Sequence, residues 1–216
     1  MCGRFTLVTT AQDLARQFEI EIDKSLSPRY NIAPSQAVLV IRQDEAEKRI
    51  LDVMQWGLVP SWVKDLDSWK SNLINARAET VGEKPSFRGA FKYRPCLIPV
   101  SGFYEWTKDK QPYYYQVRER PLFALGGLWE SWSNGEDELV TCTIITTKAN
   151  KEAAKVHHRM PVIIQPQDYD SWLGGLDERK QLLTDLSEIE LNIYPVSKMV
   201  NSPQNDTPEC IEPIDS

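Results

Sequence analysis

Cysteine and histidine are scarce in this chain, and where they fall excludes several chemistries. The four cysteines, Cys2, Cys96, Cys142 and Cys210, lie far apart with no C-x-x-C pair, which argues against a zinc ribbon. In a reducing cytosol they form no disulfide framework either. The two histidines, His157 and His158, are neighbours, and without a further His or a suitable Cys pair they make a poor metal site. No apolar run approaches the roughly 18 residues of a membrane span, and the N-terminus lacks a signal-peptide core. The expectation is a cytoplasmic protein without membrane contact, bound metal or cofactor. Positive charge is also short: 25 Lys and Arg against 31 Asp and Glu leave a net charge of −6. That excludes a protein coated in positive charge, though not a local basic cleft.

Repeats, low-complexity blocks and interdomain linkers are absent as well, so the 216 residues read as one domain with one sizeable core. Thr10 to Asp13 resembles a capping box ahead of a short helix with Ala11, Leu14, Ala15 and Phe18 on its apolar face. AVLVI (37–41) and RILDVMQW (49–56) flank a charged turn and predict a hairpin. CLIPV, GFYEW, YYYQV, LFALGGLW and LVTCTIITT follow as β-rich runs. A short basic helix is expected within KPSFRGAFKYRP, a helix capped by Asn150 over NKEAAKV, a strand over PVIIQ, two helices between Pro166 and Leu186, and a last strand at NIYPV. Residues 62–73 read as a loop. Strands with irregularly placed helices predict an α+β fold, a curled and mostly antiparallel sheet with a barrel-like core. Cys96 and Cys142 fall in apolar runs and read as small core residues. Residues 201–216 read as a solvated acidic tail carrying Asp206, Glu209, Glu212 and Asp215. No coiled coil or large apolar stripe calls for an oligomer, so a monomer is expected.

Four stretches carry candidate chemistry. In MCGRF, loss of Met1 would leave Cys2 with a free α-amine beside its thiol, two nucleophiles on adjacent carbons. Such a pair converts an aldehyde first to a Schiff base and then to a five-membered thiazolidine; it could equally attack a carbonyl as an N-terminal-nucleophile hydrolase does. Position alone favours an idle, disordered terminus. In NLINARAE, Asn75, Arg77 and Glu79 share one face of an extended segment, which suits either a lined pocket or an exposed strand edge. In SGFYEW, Glu105 sits between aromatics, where burial would raise its pKa toward proton-transfer range, unless it faces water. In VHHRMP, the two histidines point different ways, so only one can enter a given site, and a histidine at a helix C-terminus fits as well.

Taken in order, MCGRF, RYNIAPSQ, WGLVPSW, NARAE, RPCLIP, GFYEW and HHRMP resemble the SOS-response-associated peptidase family from residue 2 to about residue 200. The resemblance implies a sensor of abasic sites in single-stranded DNA. Its Cys2, exposed by loss of Met1 through self-cleavage or a host aminopeptidase, would form a thiazolidine crosslink that shields the lesion. It implies Cys2 as nucleophile, Asn75 as polar anchor, Glu105 as proton-transfer group and His157 as acid/base, with His158 at the variable position of H-x-R-M-P. Arg4, Arg77 and Arg159 would clamp phosphates, and Pro34, Trp62, Trp69 and Trp106 would meet or stack on nucleotides. A net charge of −6 then demands that basic residues gather in one cleft. The alternative is an N-terminal-nucleophile amidase or peptidase acting on a small substrate unrelated to DNA.

Overall fold

A computed structural model describes residues 2–23, 25–186 and 188–214. The strands are β1 (Phe5–Leu7), β2 (Arg29–Ile32), β3 (Ala37–Gln43), β4 (Arg49–Trp56), β5 (Asn75–Arg77), β6 (Pro95–Val100), β7 (Gly102–Trp106), β8 (Pro112–Val117), β9 (Phe123–Ser133), β10 (Glu138–Lys148), β11 (Arg159–Pro161), β12 (Ile163–Ile164) and β13 (Leu191–Pro195). The helices are α1 (Ala11–Phe18), α2 (Arg88–Tyr93), α3 (Tyr169–Leu173) and α4 (Leu176–Thr184). The α+β expectation holds, with a curled, mostly antiparallel arrangement. One sheet has the order β13-β8-β7-β1-β2 and the other β11-β10-β4-β3-β6-β9-β12. In the second sheet β9 also pairs with β10, closing β10-β4-β3-β6-β9 into a ring, and β5 joins β10 in parallel.

Local chemistry explains most of these elements. The Thr10 hydroxyl caps α1 by accepting from Asp13 N at 3.1 Å, and Leu14 and Phe18 are buried. In the β3–β4 hairpin, Asp44 Oδ1 accepts the backbone N–H of Ala46 and Lys48, each at 2.9 Å. Asn134 does the same in the β9–β10 turn, accepting from Glu136 N at 2.9 Å and Asp137 N at 2.7 Å, as side-chain mimicry of a turn requires. Every residue of β6 is buried, because the strand lies between β3 and β9 with both faces covered. Cys96 and Cys142 are fully buried, and the Trp172 indole donates to the Cys96 carbonyl at 2.8 Å.

Four expectations need correction. NKEAAKV forms only a single 3-10 turn, Ala153–Lys155, with Asn150 Oδ1 accepting from Ala153 N at 2.9 Å; Ala149 N donates to His158 O at 3.0 Å, so the segment between them must turn the chain back from β10 to β11. PVIIQ is not one strand. β11 pairs with β10, whereas β12 pairs with β9, and Val162 bridges the two by donating to Ile145 O and accepting from Gly126 N. NARAE is extended only through Arg77; Thr80 N turns back onto Arg77 O at 3.1 Å, and Glu79 leaves the shared face. The acidic stretch is not solvated through Ile214, since Cys210 is fully buried and Asp206 binds the edge of β2. Asp215 lies outside the described residues.

β1 runs between β2 and β7, with Phe5 opposite Phe103 and Thr6 opposite Gly102. A Cβ at Gly102 would lie 2.2 Å from the Tyr114 hydroxyl, which shares a 2.7 Å hydrogen bond with Thr6. Gly102→Ala should therefore destabilise the fold by about 1–3 kcal/mol. Urea unfolding should show this as a lowered midpoint; an unchanged midpoint would contradict the packing described.

Candidate active site

Pairing of β1 with β7 carries the chain's first residues into the protein. Tyr104 N donates to Arg4 O at 3.0 Å, extending the ladder toward the N-terminus. Cys2 is consequently 0% exposed, with Sγ 4.0 Å from Arg4 O. β5 supplies the second fixing point: Asn75 Nδ2 donates to Cys2 O at 3.0 Å and to Ile74 O at 2.7 Å. With both amide protons spent on carbonyls, Asn75 Oδ1 is a buried acceptor with no hydrogen-bond partner among the described residues. Burial, with Glu105 as a second cause, pushes the Cys2 thiol up from its ordinary pKa, so the sulfur is held as a neutral thiol.

Glu105 enters from β7 and is 2% exposed. Burial raises its pKa from 4.5 to about 7, placing it in the range of a group that both gives and takes protons at neutral pH. His157 Nδ1 stands 3.7 Å from Glu105 Oε2. The same nitrogen accepts from Arg159 N at 3.2 Å, which orients the ring. Burial lowers the His157 pKa, so the imidazole is mainly neutral near pH 7. His158 is exposed, its ring centroid 4.4 Å from that of His157. Four segments thus bring Cys2, Asn75, Glu105 and His157 together. Sequence reasoning missed Tyr115, buried on β8 with its pKa raised by burial and by Glu105. The signal was present: Phe103 pairs with Tyr115 across β7 and β8, so period-two alternation in YYYQV puts that ring on the inner face.

The expected nucleic-acid contacts separate into two groups. Arg77 and Trp62 are exposed, Trp62 by 57%. The Trp62 ring meets Trp69 edge-on with centroids 5.7 Å apart, on a loop closed by the Leu58–Leu73 bridge two residues before Asn75. Pro34 is half-buried in the turn after β2, and Trp106 is half-buried, donating to Asn201 Oδ1 at 2.7 Å. Arg4 and Arg159 instead turn their guanidinium groups inward. Arg4 donates to Asn31 Oδ1 and Val200 O, both at 2.6 Å. Arg159 grips Glu79 at 2.5 and 2.9 Å and donates to Thr146 O at 2.6 Å. A groove of about 780 Å³ at the far end of β1, lined by Thr9, Asp13, Pro121 and Pro166 among others, includes none of these residues. Among the described residues no group of three or more His, Cys, Asp or Glu converges as a metal site would need, and no helix is long and apolar enough to cross a membrane.

Comparison with known proteins matches residues 1–203 to the family model described as SOS response associated peptidase (SRAP). The abasic site processing protein YoqW of Bacillus subtilis (strain 168) is 42% identical over 224 residues, covering 98% of this chain and 99% of that one. The abasic site processing protein HMCES of Gallus gallus is 34% identical over 226 residues, 87% of this chain and 67% of its own length. A crystal structure of a protein from Bacteroides thetaiotaomicron matches with a TM-score of 0.86 at 26% identity, covering 99% of this chain and all of that one.

The raised pKa of Glu105 fixes a pH dependence of stability. The folded state holds its proton up to about pH 7, whereas the unfolded state releases it near 4.5. Between those values the folded state binds more protons, so stability falls as pH rises through this window and the loss is complete above it. Glu105→Gln removes the ionisation, and its stability relative to the parent chain should climb by up to about 3 kcal/mol from pH 4 to pH 8. Parallel unfolding profiles for the two proteins would contradict the burial of Glu105.

Proposed function

The chain belongs to the SOS response associated peptidase family, and we propose that it captures abasic sites in single-stranded DNA by forming a covalent thiazolidine through Cys2. The observation that carries this reading is the convergence from four distant segments of buried Cys2 and Glu105 with half-buried Asn75 and His157. The relatives' names, which specify abasic site processing, support the same substrate.

The chemistry follows from the groups present. Removal of Met1, by this same site or by an aminopeptidase, leaves the Cys2 α-amine free. An abasic sugar is mainly a closed hemiacetal, and its opening to the C1′ aldehyde needs a proton moved from the anomeric hydroxyl to the ring oxygen. His157 and Glu105 are placed to act as base and acid for that transfer. The amine then adds to the aldehyde carbon, and protonation of the carbinolamine hydroxyl by Glu105 expels one water to leave the Schiff base. The Schiff base leaves this step as an iminium, so the Cys2 sulfur attacks the C=N carbon as the π pair moves onto nitrogen, and the thiol proton returns to the Glu105 carboxylate, leaving the ring neutral and the acid restored. The net change is aldehyde plus aminothiol giving thiazolidine plus one water. Asn75 fixes the Cys2 carbonyl, so that amine and thiol address one carbon rather than exploring rotamers, and its free Oδ1 offers an acceptor for a sugar hydroxyl or the amine.

Binding of the strand would use the exposed Arg77 for phosphate and the exposed Trp62, backed by half-buried Trp69, for stacking, with Trp106 and Pro34 flanking the site. Such contacts give weak sequence preference and marked salt dependence. The four cysteines are buried free thiols, which fits work in the reducing cytoplasm, as a monomer on DNA. An amidase acting on a small substrate would need neither the exposed arginine nor the tryptophan loop.

Incubation with a single-stranded oligonucleotide carrying one abasic site should give a covalent band on a denaturing gel, absent for Cys2→Ala. No band, or one that survives Cys2→Ala, would overturn the reading. Glu105→Ala should slow capture by about 10²–10⁴-fold with the fold intact, and His157→Ala should slow it while His158→Ala does not. An unchanged rate in Glu105→Ala removes it from the site, and a defect confined to His158→Ala reverses the histidine assignment.

A further inference from the structure

Cys2 and Glu105 are each flanked by a residue tied to the C-terminal segment, and that segment runs beyond residue 203, where the family match ends. Asp206 Oδ1 accepts the backbone N–H of Asn31 at 2.9 Å and that of Tyr30, and its Oδ2 accepts from Arg29 Nε at 2.7 Å. The Asn31 side chain, fully buried, donates to Asn205 O at 2.6 Å, Ser202 O at 2.9 Å and Val200 O at 3.2 Å. Its Oδ1 accepts from Arg4, which also holds Val200 O. On the other side, the Tyr104 hydroxyl donates to Tyr30 O at 2.7 Å, with Cys210 O at 3.4 Å. Arg4 lies two residues from Cys2 and Tyr104 lies next to Glu105, and their backbones are themselves joined.

We infer that residues 204–211 form a brace that sets the position of Cys2 against Glu105, with Asp206 as its positioning residue and Asn31 and Arg4 as the link to the nucleophile. The argument rests on the capture chemistry proposed above for the benefit gained, but the brace itself is a matter of geometry. β2 is an edge strand, and an edge with open backbone groups drifts unless something covers it. Asp206 covers this edge with one carboxylate that satisfies three donors. Whatever displaces β2 also displaces Asn31, and with it the guanidinium of Arg4 and the extended segment that carries Cys2. Capture requires two nucleophilic atoms on one residue to reach a single carbon in succession, and misplacement by about 1 Å can cost a reaction about a hundredfold. Arg4 accordingly acts through Asn31 and Val200 rather than through phosphate.

The test compares Asp206→Ala and Asp206→Asn in the full chain. Two quantities are read: the rate of covalent capture at saturating abasic oligonucleotide, and the affinity for the same strand carrying an unreactive tetrahydrofuran in place of the abasic sugar. Asp206→Ala should lower the saturating rate by about tenfold or more and leave the tetrahydrofuran affinity unchanged. Asp206→Asn, which keeps an oxygen for the Tyr30 and Asn31 N–H groups, should recover most of the rate. Hydrogen exchange of residues 2–8 should be faster in Asp206→Ala than in the parent chain. The brace is overturned by an unchanged rate in Asp206→Ala, by an equal defect in Asp206→Asn, or by unchanged exchange in residues 2–8. Should the parent chain form no adduct at all, the capture reading fails by itself, and the exchange measurement still decides the brace. Arg4→Gln gives a further check: a salt dependence of affinity flattened by about one counterion would make Arg4 a phosphate contact and overturn its place in the link.

Discussion

The hydrogen bond from Tyr104 N to Arg4 O is the contact on which the site depends. Chain ends usually fray, because a terminal residue has neighbours on one side only. Here the first strand is the penultimate member of a five-stranded sheet, and its N-terminal extension continues along β7 until Cys2 is buried. Asn75 then fixes the Cys2 carbonyl from the second sheet, through β5 on β10. A residue that the genetic code places next to the initiator is thus held as firmly as a core residue, and Glu105 arrives beside it on the same β7 that holds Arg4.

Burial then determines the electrostatics. Cys2 and Glu105 are both removed from water, so both favour the neutral form, and Glu105 further discourages ionisation of Cys2. A thiolate at rest would be the better sulfur nucleophile, but it would also be the form most open to oxidation. In the proposed capture, holding the sulfur as a thiol leaves the free amine as the first nucleophile and delays the sulfur until a carboxylate can take its proton. The two inward arginines sharpen the same picture. Neither Arg4 nor Arg159 is spent on lowering the charge of the site; each commits its terminal nitrogens to carbonyls, an amide or Glu79. The chain keeps a net charge of −6, and in the proposed function phosphate recognition falls to exposed groups such as Arg77.

Much of this was legible in the sequence where a local rule decides the outcome. The Thr10 cap, the β3–β4 and β9–β10 turns and the fully apolar β6 follow from side chains acting on their own backbone or from strands covered on both faces. The ordered motifs pointed to Cys2, Asn75, Glu105 and His157, which the fold brings together. What failed to show was decided at long range. The inward turn of Arg4 depends on Asn31 and Val200, 27 and 196 positions away. The acidic C-terminal stretch read as solvated because no basic residue follows Lys198, yet the partner of Asp206 is Arg29, distant in sequence and adjacent in space. Glu79 left its expected face for the same reason, drawn to Arg159 across the fold.

The central claim is that Cys2 uses both its amine and its sulfur on one carbon. Mass spectrometry of the purified adduct, intact and after proteolysis, tests it most directly. The account predicts a protein lacking Met1, joined to the abasic oligonucleotide with loss of one water, and a modification confined to the peptide beginning at Cys2 that resists borohydride reduction. An adduct on a lysine, a Schiff base on Cys2 that borohydride traps in full, or a reactive protein still carrying Met1 would contradict it.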